Sequence, residues 1–594
     1  MQKNTYAIDF ETFYSKAVSI RILGPLGYFS HPDFDCYLLS VVGTDGYEFV
    51  GHPSEFNWAM LEGQDVVAHN ASFDETLYKY GVGEGWFPNV NYSKFFCTAD
   101  MASAIGLPRN LAGASEVALG VKPDKSTRAN MINLRPETMS EEFMKEVKEY
   151  ALVDSRLCLQ LWEKHKDDWS DFEREVSRVN RESLQKGIPL DQNYLVKCIE
   201  SVKKYLFDAE ATIPWLGEKP TLSRPAFNEE CRKVGITPPP SLAKSNPEAV
   251  KWIKENGNKY KWVKAVGEWR RINSQIKKLE SLDRATMPNG RYYGNILYFG
   301  AHTGRFSGAG GNLNLQNLPK EEMFGANLRH LIRAKEGKKL IVADLSQIEV
   351  RTLMWWAQDK KMLAEIEKSE DIYETFAIAF ELWDPKKGKL KKEDNDLRQI
   401  VKAIVLGCGF GAGPDAFSAT YGYSREDSEG YIALYRDKMK SVTRLWHSLK
   451  EDMEGSKVLS VPFGIDLPSG RSLKYGVLRT TPQRNPISGR TRMATTAILM
   501  KKSKRTPVKI WHGLLTENIS QALARDIMAD MMLRIEKKGL DILFNVHDEL
   551  IIEVDEDTAE KDLETVLNEM STPPDWIPDI PVTAEGDIMD RYEK

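Results

Sequence analysis

Cysteine is scarce and unpatterned in this chain. The six residues, at positions 36, 97, 158, 198, 231 and 408 of 594, show no metal-ligand spacing. They exclude a disulfide framework and read as the reduced thiols of a cytosolic protein. No apolar run is long enough to span a membrane, and the N-terminus MQKNTYAIDFE enters a strand-like pattern without a signal peptide. The expected location is cytoplasmic, with no membrane partner. Internal repeats and low-complexity tracts are missing as well. Net charge is only −5, which alone argues against a nucleic-acid partner.

The distribution of charge argues the other way. Residues 1–154 carry 12 Lys/Arg against 21 Asp/Glu, a balance of −9, so the remainder carries +4. Acidic residues vanish from 471–510, which holds eleven Lys/Arg. A stretch of one sign repels itself unless neutralised, so this segment reads as a phosphate track rather than a solvated loop.

A chain of 594 residues exceeds one hydrophobic core, so two or more globular domains are expected. TYAIDFETF, CYLLSVVG and DVVAHN have strand character, and EEFMKEVKEYALVDSRLCLQLWEKH has helical periodicity, which predicts an α/β domain over the first ~165 residues. Residues ~170–285 read as mostly helical, and NILYFGAHTGRFSGAGGNLNLQNLP as irregular. KLIVADLSQIEV predicts a strand, followed by helices to ~450, the basic segment, a helix over ENISQALARDIMADMMLRIEKKG and a final hairpin, LFNVHDELIIEV. DPKKGKLKKEDND (384–396) reads as a charged surface loop.

Carboxylates fall in suggestive places. Asp9 and Glu11 lie two apart in a strand, hence on one face. Asp74 follows another strand, and Tyr150 and Asp154 lie four apart on a helix. Four carboxylates cannot stay ionised close together without cations, and all-oxygen ligation suits Mg²⁺ or Mn²⁺. The pattern DxE, NxxxFD, YxxxD resembles the proofreading 3′–5′ exonuclease domain with the ribonuclease H-like fold. That resemblance implies that Asp9, Glu11, Asp74 and Asp154 hold two ions ~3.5–4 Å apart. One ion would generate the attacking hydroxide and the other stabilise the leaving 3′-oxygen, while Tyr150 orients the water.

Asp344 closes the apolar run Leu340–Ala343, and Asp548 interrupts LFNVHDELIIEV in the same way. Burying a carboxylate is costly unless it is neutralised, and two aspartates on rigid apolar strands suit a two-metal phosphoryl-transfer site. Between them, Arg398, Lys402, Leu406 and Phe410 recur every four residues of LRQIVKAIVLGCGFGAG, two cations then two hydrophobes on one helix face. Gly407, Gly409 and Gly411 weaken a helix and permit close approach of another chain or a hinge.

DLSQIEVR, RxxxKxxxLGxGFG and VHDE resemble the three polymerase motifs of family-A DNA polymerases, the bacterial DNA polymerase I type, in a compact bacteriophage form. TGRFSGAGGNLNLQNLP and ENISQALARD match family segments at the primer–template minor groove. The resemblance implies an α/β multidomain chain: an exonuclease domain at 1–165, then a right-hand polymerase domain at 166–594. Thumb, fingers and palm are expected near 170–290, near 353–449, and near 291–352 with 450–594. It implies two Mg²⁺ per active site, replaceable by Mn²⁺, held by Asp344, Asp548 and the Leu345 carbonyl. It further implies triphosphate binding by Arg398 and Lys402, with Lys402 able to protonate pyrophosphate. Glu349 becomes a steric gate against ribonucleotides, and Phe410 stacks near the nascent pair. Gln347, Leu406 and Tyr373 join the nucleotide site; Arg305, Arg329, Gln521 and His547 contact primer–template DNA; Glu549 supports the metal site. A monomer acting in phage DNA replication in the host cytoplasm is expected, its processivity factor unspecified.

Three positions depart from the family pattern. Leu406 stands where relatives have Phe or Tyr, Tyr373 where many have a triphosphate-binding His, and Glu517 where Asn is usual. A single-subunit RNA polymerase shares part of the pattern, but Glu349 and the complete exonuclease motifs argue against it. A nuclease with a DNA-clamping C-terminal half would not need Asp344, Asp548, Arg398 and Lys402 together.

Overall fold

The computed structural model describes residues 3–242, 246–294, 296–308, 313–484, 491–501 and 504–593. Its first part is a five-stranded sheet of β1 (Thr5–Thr12), β2 (Cys36–Gly43), β3 (Glu48–Gly51), β4 (Asp65–Ala68) and β5 (Lys94–Cys97), ordered β3-β2-β1-β4-β5. The β1–β2 and β2–β3 pairs are antiparallel, β1–β4 and β4–β5 parallel. Alternation along β1 explains its two faces. Tyr6, Ile8 and Phe10 enter one hydrophobic cluster with Leu77 of helix α1 (Ala71–Gly83), while Ala7 enters another with Leu157 and Leu161. The short helix α2 (Ser126–Asn130) precedes the long α3 (Glu141–His165), which supplies Leu157 and Leu161 and packs on β1 and β2. Ser140 caps α3 by accepting the Phe143 N–H, and Glu141 and Glu142 at its start and Lys164 and His165 at its end suit the helix dipole.

Helix α4 (Asp171–Lys186) carries the chain out of this unit, and its buried residues belong to the same core as the C-terminal sheet. Helices α5 (Gln192–Glu210) and α6 (Lys261–Ala285) pack along one another, and Trp215, Phe227 and Trp262 form a separate small core. Strand β6 (Lys338–Leu345) follows, with Leu340, Ile341, Val342 and Ala343 fully buried.

The predicted strand KLIVADLSQIEV therefore stops at Leu345, and helix α7 (Ile348–Trp356) begins three residues later. A helical lobe with its own core then runs to Leu459. It contains α8 (Ile372–Ala379), α9 (Asn395–Cys408) and α10 (Pro414–Tyr421), and its last helix, Lys440–Leu459, crosses the boundary expected at ~450. The expected loop at 384–396 instead folds into a 3₁₀ turn (Pro385–Lys387) and a one-turn helix (Leu390–Glu393) held by fully buried Leu390.

The basic segment is sheet: β7 (Arg479–Arg484), β8 (Thr491–Lys501) and β9 (Lys504–Lys509), antiparallel in that order. Helix α11 (His512–Lys537) leads to β10 (Asp541–Val546), β11 (Glu549–Asp555) and β12 (Ala584–Met589). These join β6 in a four-stranded antiparallel sheet ordered β10-β11-β6-β12. Among the described residues no helix is long and apolar enough to cross a membrane.

Candidate active sites

Two acidic centres emerge, one on each main sheet. On the C-terminal sheet, β10 and β11 are joined by a tight turn at His547 and Asp548, with His547 at φ 55°, a left-handed conformation that His tolerates better than most residues. The Leu345 N–H donates to the Asp548 carbonyl at 3.0 Å, tying the end of β6 to this turn. Burial pushes the Asp548 carboxyl above its usual range; its own N–H and Arg305 oppose the rise, while Asp344 and Glu349 add to it. Asp344 lies opposite Glu549 in the ladder. Glu549 is thus the first residue of β11, not a free turn carboxylate, and it accepts the Tyr592 hydroxyl hydrogen.

Arg329 does not offer its guanidinium to DNA as expected. It is buried, donates through Nε to the Leu318 carbonyl and through Nη1 to the Tyr592 hydroxyl at 2.9 Å, and lies 4.9 Å from the Tyr592 ring centroid. It holds the tyrosine that holds Glu549.

Arg305 pairs instead with Glu349, in the first turn of α7, just after Gln347 at φ 45°. Glu517 on α11 faces the same group: burial and the Glu349 charge raise its carboxyl, and Gln521 donates to it at 3.1 Å. Burial and Arg305 lower the His547 imidazole, favouring its neutral form. Gln316 accepts the His547 N–H at 3.3 Å and donates to the Asn545 carbonyl, so it clamps the β10–β11 hairpin. Nothing but its place in NLQN marks it in the sequence.

On the helical lobe, Arg398 pairs with Asp371 at 2.5 Å, and its Cζ sits 5.1 Å from the Tyr373 ring centroid. The Lys402 ammonium is 5.8 Å from the same ring. Tyr373 thus lies between the two cations. The helix ends at Cys408 and Gly411 takes φ 74°, so Phe410 lies in the turn beyond α9 rather than on its face. Leu406 and Phe410 pack on the lobe core. A Cβ on Gly407 would meet Phe417 at 2.8 Å and Tyr421 at 2.7 Å, so the close approach is that of α10.

On the N-terminal sheet, Asp9 and Glu11 share the β1 face that looks toward α3. Asp74, nearly fully buried in the first turn of α1, accepts the Phe10 N–H at 3.2 Å. Burial drives Asp9 and Asp74 well above the normal range and Glu11 to about 7, with mutual repulsion contributing to each. Tyr150 and Asp154 are buried on α3, and the Lys125 ammonium reaches the two Asp154 oxygens at 2.8 and 2.7 Å. No sequence motif marks Lys125; only the fold brings it to this centre.

Among the described residues no three His, Cys, Asp or Glu groups form a ready metal cage. The donor chemistry nonetheless fits hard divalent cations: the candidate donors are oxygens, and burial, with neighbouring carboxylates adding to it, disfavours their ionised forms, which a cation would favour.

The model for DNA polymerase family A matches residues 239–472. A DNA polymerase of Bacillus phage SP02 is 25% identical over 99% of this chain and all of its own length. Thermostable DNA polymerase I of Thermus filiformis is 25% identical over 72% of this chain and 50% of that protein, and the enzyme of Aquifex aeolicus is 26% identical over 56% and 51%. The POL domain of Pol1 from M. smegmatis, solved with DNA primer-template and dNTP, superposes with a TM-score of 0.69 at 18% identity, covering all of this chain and 96% of that one. The chain is thus similar to DNA polymerases of family A, by the family model over residues 239–472 and by the phage relative along nearly its whole length.

Proposed function

We propose that this chain extends a DNA primer 3′-hydroxyl from dNTPs on a DNA template, that a second site trims the primer 3′–5′, and that it serves phage DNA replication. The observation carrying the polymerase reading is the Leu345–Asp548 backbone bond, which sets the strand bearing Asp344 against the turn bearing Asp548. In this reading the β6–β10–β11–β12 sheet is the palm, the helical lobe the fingers, the α5–α6 arm the thumb, and the N-terminal sheet the exonuclease domain.

Asp344, Asp548 and the Leu345 carbonyl would hold two Mg²⁺ ions, for which Mn²⁺ can substitute. When bound, these ions supply Lewis acidity toward the 3′-hydroxyl and charge stabilisation for the α-phosphoryl group. Arg398 and Lys402 grip the triphosphate, with Tyr373 keeping the two cations apart and oriented. Lys402 is exposed, so its ammonium can reach and protonate pyrophosphate. Glu349, fixed by Arg305, fills the space of a ribose 2′-hydroxyl. Gln521 and Arg305 face the primer–template, and neutral His547 lies beside the primer end. In the second site Asp9, Glu11, Asp74 and Asp154 would hold the ions, with Tyr150 orienting water. The full-length match to a phage enzyme supports the phage role.

Primer extension tests both sites. Wild type should extend a recessed DNA primer with dNTPs and Mg²⁺, Asp548→Ala should only shorten it, and Asp9→Ala should only extend it. A wild-type protein that never extends sinks the polymerase reading. Loss of both activities in Asp9→Ala sinks the two-site reading.

A further inference from the structure

The β7–β8–β9 sheet has two unlike faces. Side chains alternate along β8, so Arg492, Ala494, Thr496, Ile498 and Met500 share one face, and Ala497 and Leu499 the other. The ladder places Arg479 and Lys509 on either side of Thr496, and Arg505 beside Met500. Arg479, Arg492, Arg505 and Lys509 therefore stand on one face, all four exposed, spread over roughly 27 Å of β8. Residues 471–510 hold no carboxylate to oppose them. Arg471, at the head of this segment, is paired with Asp526, but among the described residues the four sheet cations form no ion pair. Like charges gathered on one small sheet repel one another until an anion arrives.

The opposite face is committed to the core. Ala497 and Leu499, 1% and 6% exposed, join a cluster with Leu515, Ile519 and Leu523 of α11. Those three recur every four residues, whereas Glu517 and Gln521 lie two positions on, about half a turn round the helix. The cationic face thus looks away from the side of α11 that is turned to Arg305 and Glu349. At its edge it meets a cleft of about 250 Å³. Leu107 and Val117 of the N-terminal unit line one wall, and Phe299, Ile498, Met500 and Arg505 line the rest. Cations beside an apolar cleft with an aromatic ring suit a strand that offers both phosphates and unpaired bases; a duplex offers phosphates but keeps its bases stacked inside.

We propose that this face and cleft form a binding site for single-stranded DNA, separate from both acidic centres. Arg479, Arg492, Arg505 and Lys509 hold phosphates, and the cleft takes bases. Two strands of a working substrate have this chemistry: the unpaired template ahead of the primer, and a strand displaced from the duplex there. Only the identity of the strand rests on the polymerase reading; the site itself does not.

The test is fluorescence anisotropy on the full-length chain in EDTA, with oligothymidylate, an abasic strand of equal length and a blunt duplex as probes. Combining Arg479→Gln, Arg492→Gln, Arg505→Gln and Lys509→Gln should weaken oligothymidylate binding at least about tenfold. It should also flatten the dependence of log affinity on log salt by about 3, the value for four phosphate contacts to a single strand at ~0.7 each. Blunt-duplex binding and single-nucleotide primer extension should stay at the wild-type level. Val117→Asp, across the cleft, should weaken oligothymidylate binding and leave the abasic strand unmoved. Adding to the duplex a template overhang or, separately, a 5′ flap on a downstream strand identifies the strand held: one of them should raise wild-type affinity and not that of the quadruple variant. Equal oligothymidylate affinity and salt dependence in wild type and quadruple variant, both folded by circular dichroism, overturns the proposal. So does a loss of equal size for the blunt duplex, or an abasic strand bound as tightly as oligothymidylate.

Discussion

Tyr592 donates its hydroxyl hydrogen to Glu549, the residue that faces Asp344 across the β6–β11 ladder. The segment after β12 thus reaches the β6–β11 ladder beside Asp344, and Arg329 completes the chain by donating to the same hydroxyl. Outer partners of metal-side carboxylates fix orientation and basicity. Tyr592→Phe should therefore lower single-turnover dNTP incorporation roughly tenfold at limiting Mg²⁺, the low end of such effects, with recovery at high Mg²⁺. Exonuclease activity should not change. A Mg²⁺-independent loss would mean that Tyr592 only stabilises the fold.

Leu406 offers no hydroxyl to the nucleotide and packs on the lobe core. In the family resemblance, a Tyr at this place replaces the missing 3′-hydroxyl of a dideoxynucleotide. One such hydrogen bond is worth ~1 kcal/mol, so dideoxynucleotide incorporation should be at least about fivefold poorer than that of dNTPs and should improve in Leu406→Tyr. Efficient termination by wild type at equimolar dideoxynucleotide and dNTP would refute this.

Much of this arrangement is legible in sequence because it rests on short-range periodicity. Tyr6, Ile8 and Phe10 against Ala7, Asp9 and Glu11 define two faces of one strand, and the run Leu340–Ala343 suits only a buried strand. What escapes is long-range. Gln316 finds the Asn545 carbonyl 229 residues away, and Tyr592 finds Glu549 at the far side of a sheet whose order no local pattern encodes. Phe410 is misplaced for a local reason: regular spacing carries it onto a helix that its neighbours Gly409 and Gly411 end. The basic segment is one-signed in sequence, but charge alone does not distinguish a loop from the antiparallel β7–β8–β9 sheet.

Glu173 on α4 accepts from Arg525 on α11, both buried, in a network that includes Tyr298, Asp526 and Arg471. This ties the helix leaving the N-terminal α/β unit to the helix that leads into the β10–β11 hairpin. Removing one partner strands the other charge in a dry interior, which costs about 3–5 kcal/mol. Arg525→Ala should lower stability by that amount in urea unfolding. Glu173→Gln, which keeps a hydrogen-bond acceptor, should cost less. Equal, small losses would show that water reaches the pair.

Glu11 makes the protein without bound metal sensitive to pH in a direction opposite to most carboxylates. Burial lifts its carboxyl from 4.5 to about 7, Asp154 and Asp74 adding to the rise and Arg128 opposing it. Because the folded state binds this proton more tightly than the unfolded chain, its contribution to stability is fully present below pH ~4.5 and is lost as pH rises toward ~7. Asp9 and Asp74, also raised by burial, act in the same sense. In EDTA, thermal unfolding should therefore show destabilisation between about pH 5 and pH 7.5 that Glu11→Gln reduces. Mg²⁺ should reverse it at about pH 7.5, because a bound cation favours the ionised form that burial disfavours. An unchanged pH profile in Glu11→Gln would place the titrating group elsewhere.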